Sequence, residues 1–284
     1  MALRSYIHST FDPRRIPGLE SWWDASDAAS VTLDSGRVSQ LADKSGNGRH
    51  LTNTTSGSTQ PTYVTGARNG LNVARFAAAS VQRLTVPSST AAYKFLHDGT
   101  PCWWIAVNTF GTVSNPAADY ILFSTAVSSS SVGGNFGYYD VGFGASDNNA
   151  AAVEAFRGVS GTYVAVTANA SFTATLTQYN NLLTPNTMLV SECALDLGNA
   201  TASERIALRV NGGSEAKANT RTAAPSTANA SDNLAIGAGV NAGSFFAPLQ
   251  GDICELMFFS QQPTAAARDL IRRYLGAKWG VTVA

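Results

Sequence analysis

Short apolar or alternating runs, separated by turn residues, make up most of the chain from Leu19 onward. Such runs are typical of the strands of an antiparallel β-sandwich. A parallel α/β sheet would need helical patterns between them, and those are missing. We therefore predict an all-β fold. The strongest strand candidates are Asn72–Phe76, Cys102–Asn108, Tyr120–Thr125, Phe136–Phe143, Thr162–Thr167, Ser171–Gln178, Thr187–Leu195, Arg205–Val210, Leu234–Gly237 and Asp252–Phe259. Predicted loops, rich in Gly, Ser and Asn, are Val127–Asn135, Ala145–Ala150 and Gly212–Asp232.

Helical periodicity replaces the alternation near the end of the chain. It begins after Pro263, a residue favoured in a first helical turn. The pattern predicts a helix over Pro263–Ala277 that docks on its own sheet, with Arg272 on another face. A shorter helix is predicted over Ser89–Leu96. The apolar stripe of the longer helix, spaced i, i+3, i+4, i+7 and i+8, consists of Ala267, Leu270, Ile271, Tyr274 and Leu275.

The first sixteen residues differ in pattern from the rest. They are mostly polar, and a proline at position 13 disfavours a continuous helix. We therefore predict an N-terminal arm over 1–16 and one domain over 17–284. Tyr6, Ile7 and Phe11 are the candidate anchors of this arm on another chain, and a path back along its own sandwich is the alternative.

Composition excludes several classes of function. Charged residues make up 13% of the chain and the net charge is zero, without a basic cluster of the kind that nucleic acid requires. Neither a signal-peptide core nor an apolar stretch long enough for a membrane span is visible. Cys102, Cys193 and Cys254 lie in strand-like apolar runs, which predicts buried free thiols and folding in a reducing cytosol.

Several short motifs occur together at the two ends of the proposed domain. They are Pro17-Gly18-Leu19, Trp22-Trp23-Asp24-Ala25-Ser26-Asp27, Asp43-Lys44-Ser45-Gly46-Asn47-Gly48, Gln60-Pro61-Thr62-Tyr63, Gly251-Asp252-Ile253 and Lys278-Trp279-Gly280. As a set they resemble the laminin-G-like, concanavalin-A-like jelly-roll domains of bacteriophage and bacterial proteins. The resemblance implies a two-sheet antiparallel jelly-roll sandwich with a C-terminal α-helix. Its superfamily includes lectins, glycosidases and virion proteins, so it implies no single function.

Catalytic chemistry is not expected. Glycosidases of this superfamily place their carboxylates on one strand as Glu-x-Asp-x-x-Glu, whereas here the matching strand offers Asp252 and Glu255. A separation of three residues puts these two on opposite faces of a regular strand, so they cannot act as a pair across a glycosidic bond. His8, His50 and His97 are isolated from one another and from nucleophile motifs. We predict a protein without an enzymatic centre or cofactor.

The segment Asp43–Gly48 matches the first positions of a calcium-binding loop. However, Thr54 occupies the position where such a loop has its bidentate carboxylate. A tight turn with glycines at positive φ is the prediction, no metal is predicted, and a weak calcium site is left open.

The tryptophan doublets Trp22-Trp23 and Trp103-Trp104 are the remaining candidate binding residues. Adjacent strand residues point to opposite faces, so one ring of each doublet lies outside the sheet's inner core. The prediction is that the C-terminal helix, a loop or a partner chain covers it. The alternative is a ring exposed for stacking on a sugar.

These observations lead to two functional hypotheses. The first is a non-enzymatic virion protein of a bacteriophage, on the capsid or tail, that contacts other virion proteins and copies of itself. It follows from the phage-like opening motif, from the absence of a signal-peptide pattern and from the absence of a set of catalytic residues. The alternative is a carbohydrate-binding, lectin-like module for host attachment or in a secreted bacterial protein. Neither involves nucleic acid or membrane.

Overall fold

The computed structural model describes residues 11–111, 120–128, 130–139, 150–158, 163–166, 186–217 and 222–284. Within them the chain forms eighteen strands and, near its end, the α-helix α1 (Ala265–Trp279). The strands are β1 (Leu19–Asp24), β2 (Val31–Asp34), β3 (Arg37–Leu41), β4 (Leu51–Thr52), β5 (Thr62–Arg68), β6 (Leu71–Phe76), β7 (Leu84–Thr85), β8 (Cys102–Asn108), β9 (Tyr120–Ser124), β10 (Val132–Tyr139), β11 (Ala150–Arg157), β12 (Tyr163–Val166), β13 (Leu189–Leu195), β14 (Ile206–Val210), β15 (Ala235–Ile236), β16 (Gly239–Asn241), β17 (Ser244–Phe246) and β18 (Gly251–Phe259). The prediction of an all-β fold is confirmed.

Sixteen of the strands form one large antiparallel sheet. Its order is β12-β11-β10-β9-β15-β7-β4-β3-β5-β6-β18-β8-β13-β14, with β1 beside β18 and β2 beside β3, while β16 and β17 form a separate hairpin. The sheet curls back on itself. The ring of Trp104 in β8 lies 4.4 Å from that of Phe136 in β10, although several strands separate the two in the order.

Apolar side chains fill both sides of the central strands. All seven residues of β8 are buried because its inner face lines the curl and its outer face lies beneath α1. Trp104 belongs to the inner core, and Trp103 to the cluster that includes Ile271 and Leu275 of the helix. The sheet therefore has one core inside the curl and a second between its outer face and α1.

Helix α1 is displaced by two residues from the predicted Pro263–Ala277. It begins at Ala265 because the Thr264 side chain caps it, accepting a hydrogen bond from the Ala267 N–H at 3.2 Å. It ends where Gly280 adopts the left-handed conformation, with φ 73°. The predicted docking is confirmed, but the stripe is narrower than predicted, since Leu270 is 44% exposed.

Two local predictions are wrong for identifiable reasons. The Ser89–Leu96 helix is reduced to a 3-10 turn at Lys94–Leu96, because the Ser89 hydroxyl binds the Val86 carbonyl and the Leu234 N–H. The predicted loop at Val127–Asn135 ends early, since β10 begins at Val132 and its glycines pair with β11. Ser171–Gln178 and Ala145–Asn149 lie outside the described residues.

A β-bulge in β18 overturns the predicted opposition of Asp252 and Glu255. The register against β8 shifts between Ile253 and Glu255. Ile253 and Leu256 therefore both belong to the inner core, although they are three residues apart, and Cys254 packs in the cluster under the helix. The extra residue resets the alternation, so both carboxylates lie on the outer side of the sheet.

The cysteines Cys102, Cys193 and Cys254 are buried free thiols, as predicted. Burial raises the pKa of each of them. Among the described residues, no helix has the length and apolarity to cross a membrane.

Candidate functional site

The four indoles singled out by the sequence are all covered. Trp22 is 7% exposed, and Trp23, Trp103 and Trp104 are 1% exposed or less. The Trp22 N–H donates to the Glu255 carboxylate at 2.8 Å, and Trp23 donates to the Arg49 carbonyl at 2.9 Å. The prediction of covered rings is confirmed, and stacking of a sugar on them is wrong because none has a free face.

The described part of the N-terminal arm packs on its own chain. The Phe11 ring lies 5.0 Å from that of Tyr274 in α1, and Ile16 packs against the same cluster. Phe11 therefore follows the alternative path, along its own chain, and its contact with another chain stays a prediction. Tyr6 and Ile7 lie outside the described residues, so their role in attachment stays a prediction.

The carboxylate of Glu255 is the centre of a buried charge cluster. It is bound by Lys278 Nζ at 2.7 Å and by the N–H groups of Trp22 and Trp279. Lys278 also contacts Asp24 at 2.7 Å, on the strand directly beside β18. Burial raises the pKa of Glu255, and the nearby Asp24 carboxylate adds to the rise.

Asp252 belongs to a different cluster. Its carboxylate accepts hydrogen bonds from Arg68 at 2.7 Å and from Arg75 at 2.6 and 3.0 Å, and it is 1% exposed. Two guanidinium groups thus hold the buried Asp252 carboxylate on the outer face of the sheet. The carboxylates of Asp252 and Glu255 are thus both bound by cations or N–H groups. These contacts anchor strands to one another and to α1.

The Asp43–Gly48 segment is a turn built around one carboxylate. Asp43 accepts from the backbone N–H groups of Trp22, Ser45 and Arg49 and from the Ser45 hydroxyl. Gly46 and Gly48 have φ 99° and 69°, which confirms the predicted turn. No cluster of three or more potential metal ligands occurs among the described residues.

The two described histidines serve the fold. His50 accepts a hydrogen bond from the Asp43 N–H at 3.0 Å, and buried His97 contacts the Ala228 carbonyl at 2.9 Å. Burial lowers the pKa of His97. His8 lies outside the described residues.

A groove on the outside of the short strands β4 and β7 is the strongest candidate for a binding site. Its volume is about 250 Å³. The groove is lined by hydroxyl groups, one amide, one guanidinium and one aromatic ring, and we call it the threonine groove. These side chains belong to Thr52, Thr54, Thr55, Thr85, Asn53, Arg83 and Phe245, and the ring of Pro87 completes the lining.

Strand pairing positions the threonines. Thr52 lies opposite Thr85 in the register of β4 and β7, while their neighbours Leu51 and Leu84 are buried in the inner core. Strand alternation therefore turns both threonine side chains outward. Their hydroxyls reach each other's backbone carbonyl at distances of 3.3 and 3.4 Å. Such long contacts are readily exchanged for shorter ones to a ligand.

Arg83 and Phe245 form the other wall of the groove. The guanidinium carbon of Arg83 lies 4.1 Å from the centre of the Phe245 ring, a cation–π arrangement. One Arg83 nitrogen donates to the Val81 carbonyl at 3.1 Å, and burial lowers the pKa of Arg83. The side chain is thus held in place and partly desolvated, which strengthens any hydrogen bond that it donates.

The backbone beside the groove is strained. Val81 adopts φ 47° and ψ 49°, and Ser88 adopts φ 53°. The left-handed region is costly for a β-branched residue such as valine, and such outliers are concentrated at binding sites. The turn after Val81 directs Arg83 toward Phe245.

The sequence pattern does not predict this groove. Its residues come from three separate segments, and β4 and β7 have two residues each. Thr52-Asn53-Thr54-Thr55 was the available signal, a cluster of hydroxyl and amide groups directly after an apolar residue.

Comparison with known proteins supports the fold. No known family profile matches the sequence, and neither does any curated protein. Among solved structures, a mutant GH54 α-L-arabinofuranosidase soaked with 4-nitrophenyl α-L-arabinofuranoside is 14% identical, with a TM-score of 0.53 over 86% of this chain and 51% of its own. An arabinofuranosidase complexed with arabinofuranosyl-alpha-1,2-xylobiose is also 14% identical, with a TM-score of 0.51 over 87% and 52%.

A third similar structure is the Trypanosoma rangeli sialidase in complex with sialic acid, at 8% identity. Its TM-score is 0.48 over 98% of this chain and 37% of the sialidase. The chain thus spans about half the length of the two arabinofuranosidases. At 14% identity the likeness to the two arabinofuranosidases establishes a shared β-rich fold and carries no activity with it.

Proposed function

We propose that this protein is a non-catalytic carbohydrate-binding module, lectin-like in function, whose curled sheet is a two-sheet jelly-roll sandwich of the concanavalin-A-like kind. Support for the sandwich comes from the motifs shared with laminin-G-like domains and from the contacts of β8 and β18 with β9 and β10 across the curl. The proposed binding surface is the threonine groove.

One observation carries the proposal: the groove combines an aromatic ring with hydroxyl, amide and guanidinium groups. Sugars have apolar faces that pack on aromatic rings, and their hydroxyls need polar partners at the edges. Phe245 supplies the ring and Arg83 and the threonines supply donors and acceptors, while the Asn53 amide, bonded to Thr59, Arg83 and Thr55, holds the groove in shape. The arabinofuranosidase complexes contain pentose glycans, so arabinose- and xylose-containing oligosaccharides are the first ligands to test.

The charges around the groove favour binding over hydrolysis. Its described lining contains no carboxylate, whereas glycoside hydrolysis generally uses a pair of them. The carboxylates of Asp252 and Glu255, which the superfamily pattern suggested, are held by Arg75 and Lys278 on the outer face of β18.

The test is glycan binding by the full chain and two matched variants. A glycan array followed by calorimetry with arabinoxylan oligosaccharides measures affinity. Phe245→Ala removes the ring from the groove, and Phe246→Ala removes the neighbouring ring, 40% exposed, which does not line it.

We expect Phe245→Ala to weaken binding about tenfold or more, by analogy with the loss of an aromatic stacking contact. Phe246→Ala should leave affinity unchanged. Absence of binding to every glycan tested, or equal effects of the two substitutions, would refute the proposal. Cleavage of the oligosaccharides by the wild type would refute its non-catalytic part.

A role in a bacteriophage particle remains a second proposal, supported by the phage-like motif that begins at Pro17. In that setting the module would contact other virion proteins or copies of itself and present the groove for host attachment. Mass spectrometry of purified particles tests it: a fixed copy number is expected, and absence from the particle would exclude this location. A secreted bacterial protein is the other setting for the same groove.

A further inference from the structure

A second cavity, of about 130 Å³, lies where the first turns of α1 pass over the edge strand β14. Its floor is made of small side chains, Ala194 and Ala207, which leave the space open. We call it the helix-edge cleft. The charged residues that line it are Glu192, Arg209, Glu215, Arg268 and Arg272.

Glu192 brings an unused hydrogen-bond acceptor to the cleft. Its Oε1 atom receives the Nε and Nη2 groups of Arg272, each at 2.8 Å. Its Oε2 atom is buried and has no hydrogen-bond partner within the described structure, and the side chain is 3% exposed. A buried carboxylate oxygen without a donor is costly. The cleft therefore favours a ligand that supplies a hydroxyl or another donor at this atom.

Arg268 brings an unused cation. Arg209 is paired with Glu215 at 2.7 Å and Arg272 with Glu192, whereas Arg268 forms no ion pair with any residue that the structure describes. The cleft also includes Ala265, the first residue of α1, where the helix dipole is positive. Arg272 also contacts Asp269 at 3.2 Å, so Arg268 is the cation that favours an anionic group in the ligand.

We infer that the helix-edge cleft binds an acidic sugar, one that carries a carboxylate beside free hydroxyl groups. The sugar carboxylate accepts hydrogen bonds from the Arg268 guanidinium. A ring hydroxyl donates to Glu192 Oε2, and the alanine floor leaves room for part of the ring. This inference rests on the proposed glycan-binding function and assigns to it a second site with different chemistry from the threonine groove.

The experiment is titration of the full chain with D-glucuronate, followed by calorimetry and by ligand-observed NMR. D-glucose lacks the carboxylate and therefore tests the contact with Arg268. Acetate lacks the hydroxyls and therefore tests the contact with Glu192. Arg268→Gln removes the unpaired cation. Arg273→Gln is the matched control, because Arg273 lies on the same helix, does not line the cleft and is 66% exposed.

Glucuronate should bind, glucose and acetate should bind more weakly, and Arg268→Gln should weaken glucuronate binding about tenfold or more, the effect of losing a charge-assisted hydrogen bond. Arg273→Gln should bind like the wild type. Glu192→Gln, which keeps the shape of the side chain, should reduce the preference for glucuronate over acetate.

The inference is overturned if glucuronate binds no better than glucose, or if Arg268→Gln and Arg273→Gln behave alike. Phe245→Ala separates the two sites, because it should weaken binding at the threonine groove and leave glucuronate binding intact. If neutral oligosaccharides bind and glucuronate does not, the cleft assignment fails while the proposed function stands. If glucuronate binding disappears with Phe245→Ala, the acidic sugar occupies the groove and the cleft assignment is wrong.

Discussion

Substitution of Lys278 by methionine tests how the C-terminal helix is held. Lys278 is one of the most deeply buried cations in the described structure, with its side chain 5% exposed, and it contacts both Asp24 and Glu255 at 2.7 Å. Methionine keeps most of the stem volume and removes the charge. Two carboxylates would then lie side by side on paired strands, and Glu255 is fully buried.

The expected loss of stability is about 3–5 kcal/mol, the cost of leaving a buried charge without its partner. Arg273→Met on the same helix is the control, because its exposed ion pair with Asp269 contributes about 0–1 kcal/mol. Equilibrium unfolding in urea measures both. The double variant Lys278→Met, Glu255→Gln should lose less stability than the two single variants lose in sum. The expected difference in the free energy of unfolding is about 0.5–3 kcal/mol.

The stability lost in Lys278→Met should depend on pH in a defined direction. Burial opposes ionisation of Asp24, but Lys278 and Lys44 hold its pKa below 3.8, so its contribution exists above that value and disappears in acid. The pKa of Glu255 is raised above 4.5, so its protonation favours the folded state as the pH falls. The Asp24 effect falls below this range, so Glu255 makes the deficit of Lys278→Met smaller at about pH 5 than at about pH 8, because without Lys278 its carboxylate takes up a proton more readily. A loss below about 1 kcal/mol, or one independent of pH, would refute this account.

Two further predictions concern the thiols and the start of the helix. In the native protein Cys102, Cys193 and Cys254 should resist a thiol reagent, and in urea without reductant all three should react; fewer than three would reveal a disulfide. Thr264→Ala should lower stability by about 1 kcal/mol through loss of the N-cap, while Thr264→Ser retains it; equal urea midpoints for the two variants would contradict the capping role.

The sequence predicted those strands and the helix in which apolar and polar residues repeat over enough positions to show a period. Cys102–Asn108 was predicted with the bounds that β8 has in the structure, because a seven-residue apolar run leaves little choice. The tryptophan doublets were likewise divided correctly between the two faces of the sheet. Strands of two residues, such as β4 and β7, have no period at all, so the threonine groove could not be anticipated.

Irregularities account for most of the errors at the candidate sites. The bulge at Cys254 shifts Glu255 to the side of Asp252, and nothing in the local sequence specifies it. Periodicity also assigned Leu270 to the buried stripe and Arg272 to another face, whereas Leu270 is exposed and Arg272 is 7% exposed. Arg272 enters the interface because Glu192 lies beneath it, a contact between elements 80 positions apart in the chain.

The two ion clusters beneath α1 also explain why the helix-edge cleft is present. Lys278 attaches the end of the helix to β18, and Arg272, six residues earlier, attaches it to β13. Two attachments on different strands fix both the position of the helix along its axis and its rotation. The remaining turns, which carry Arg268, then extend over β14, where the small side chain of Ala207 leaves space beneath the helix. The charges that fasten the helix therefore also bring Arg268 and Glu192, with its unpaired oxygen, to the same cleft.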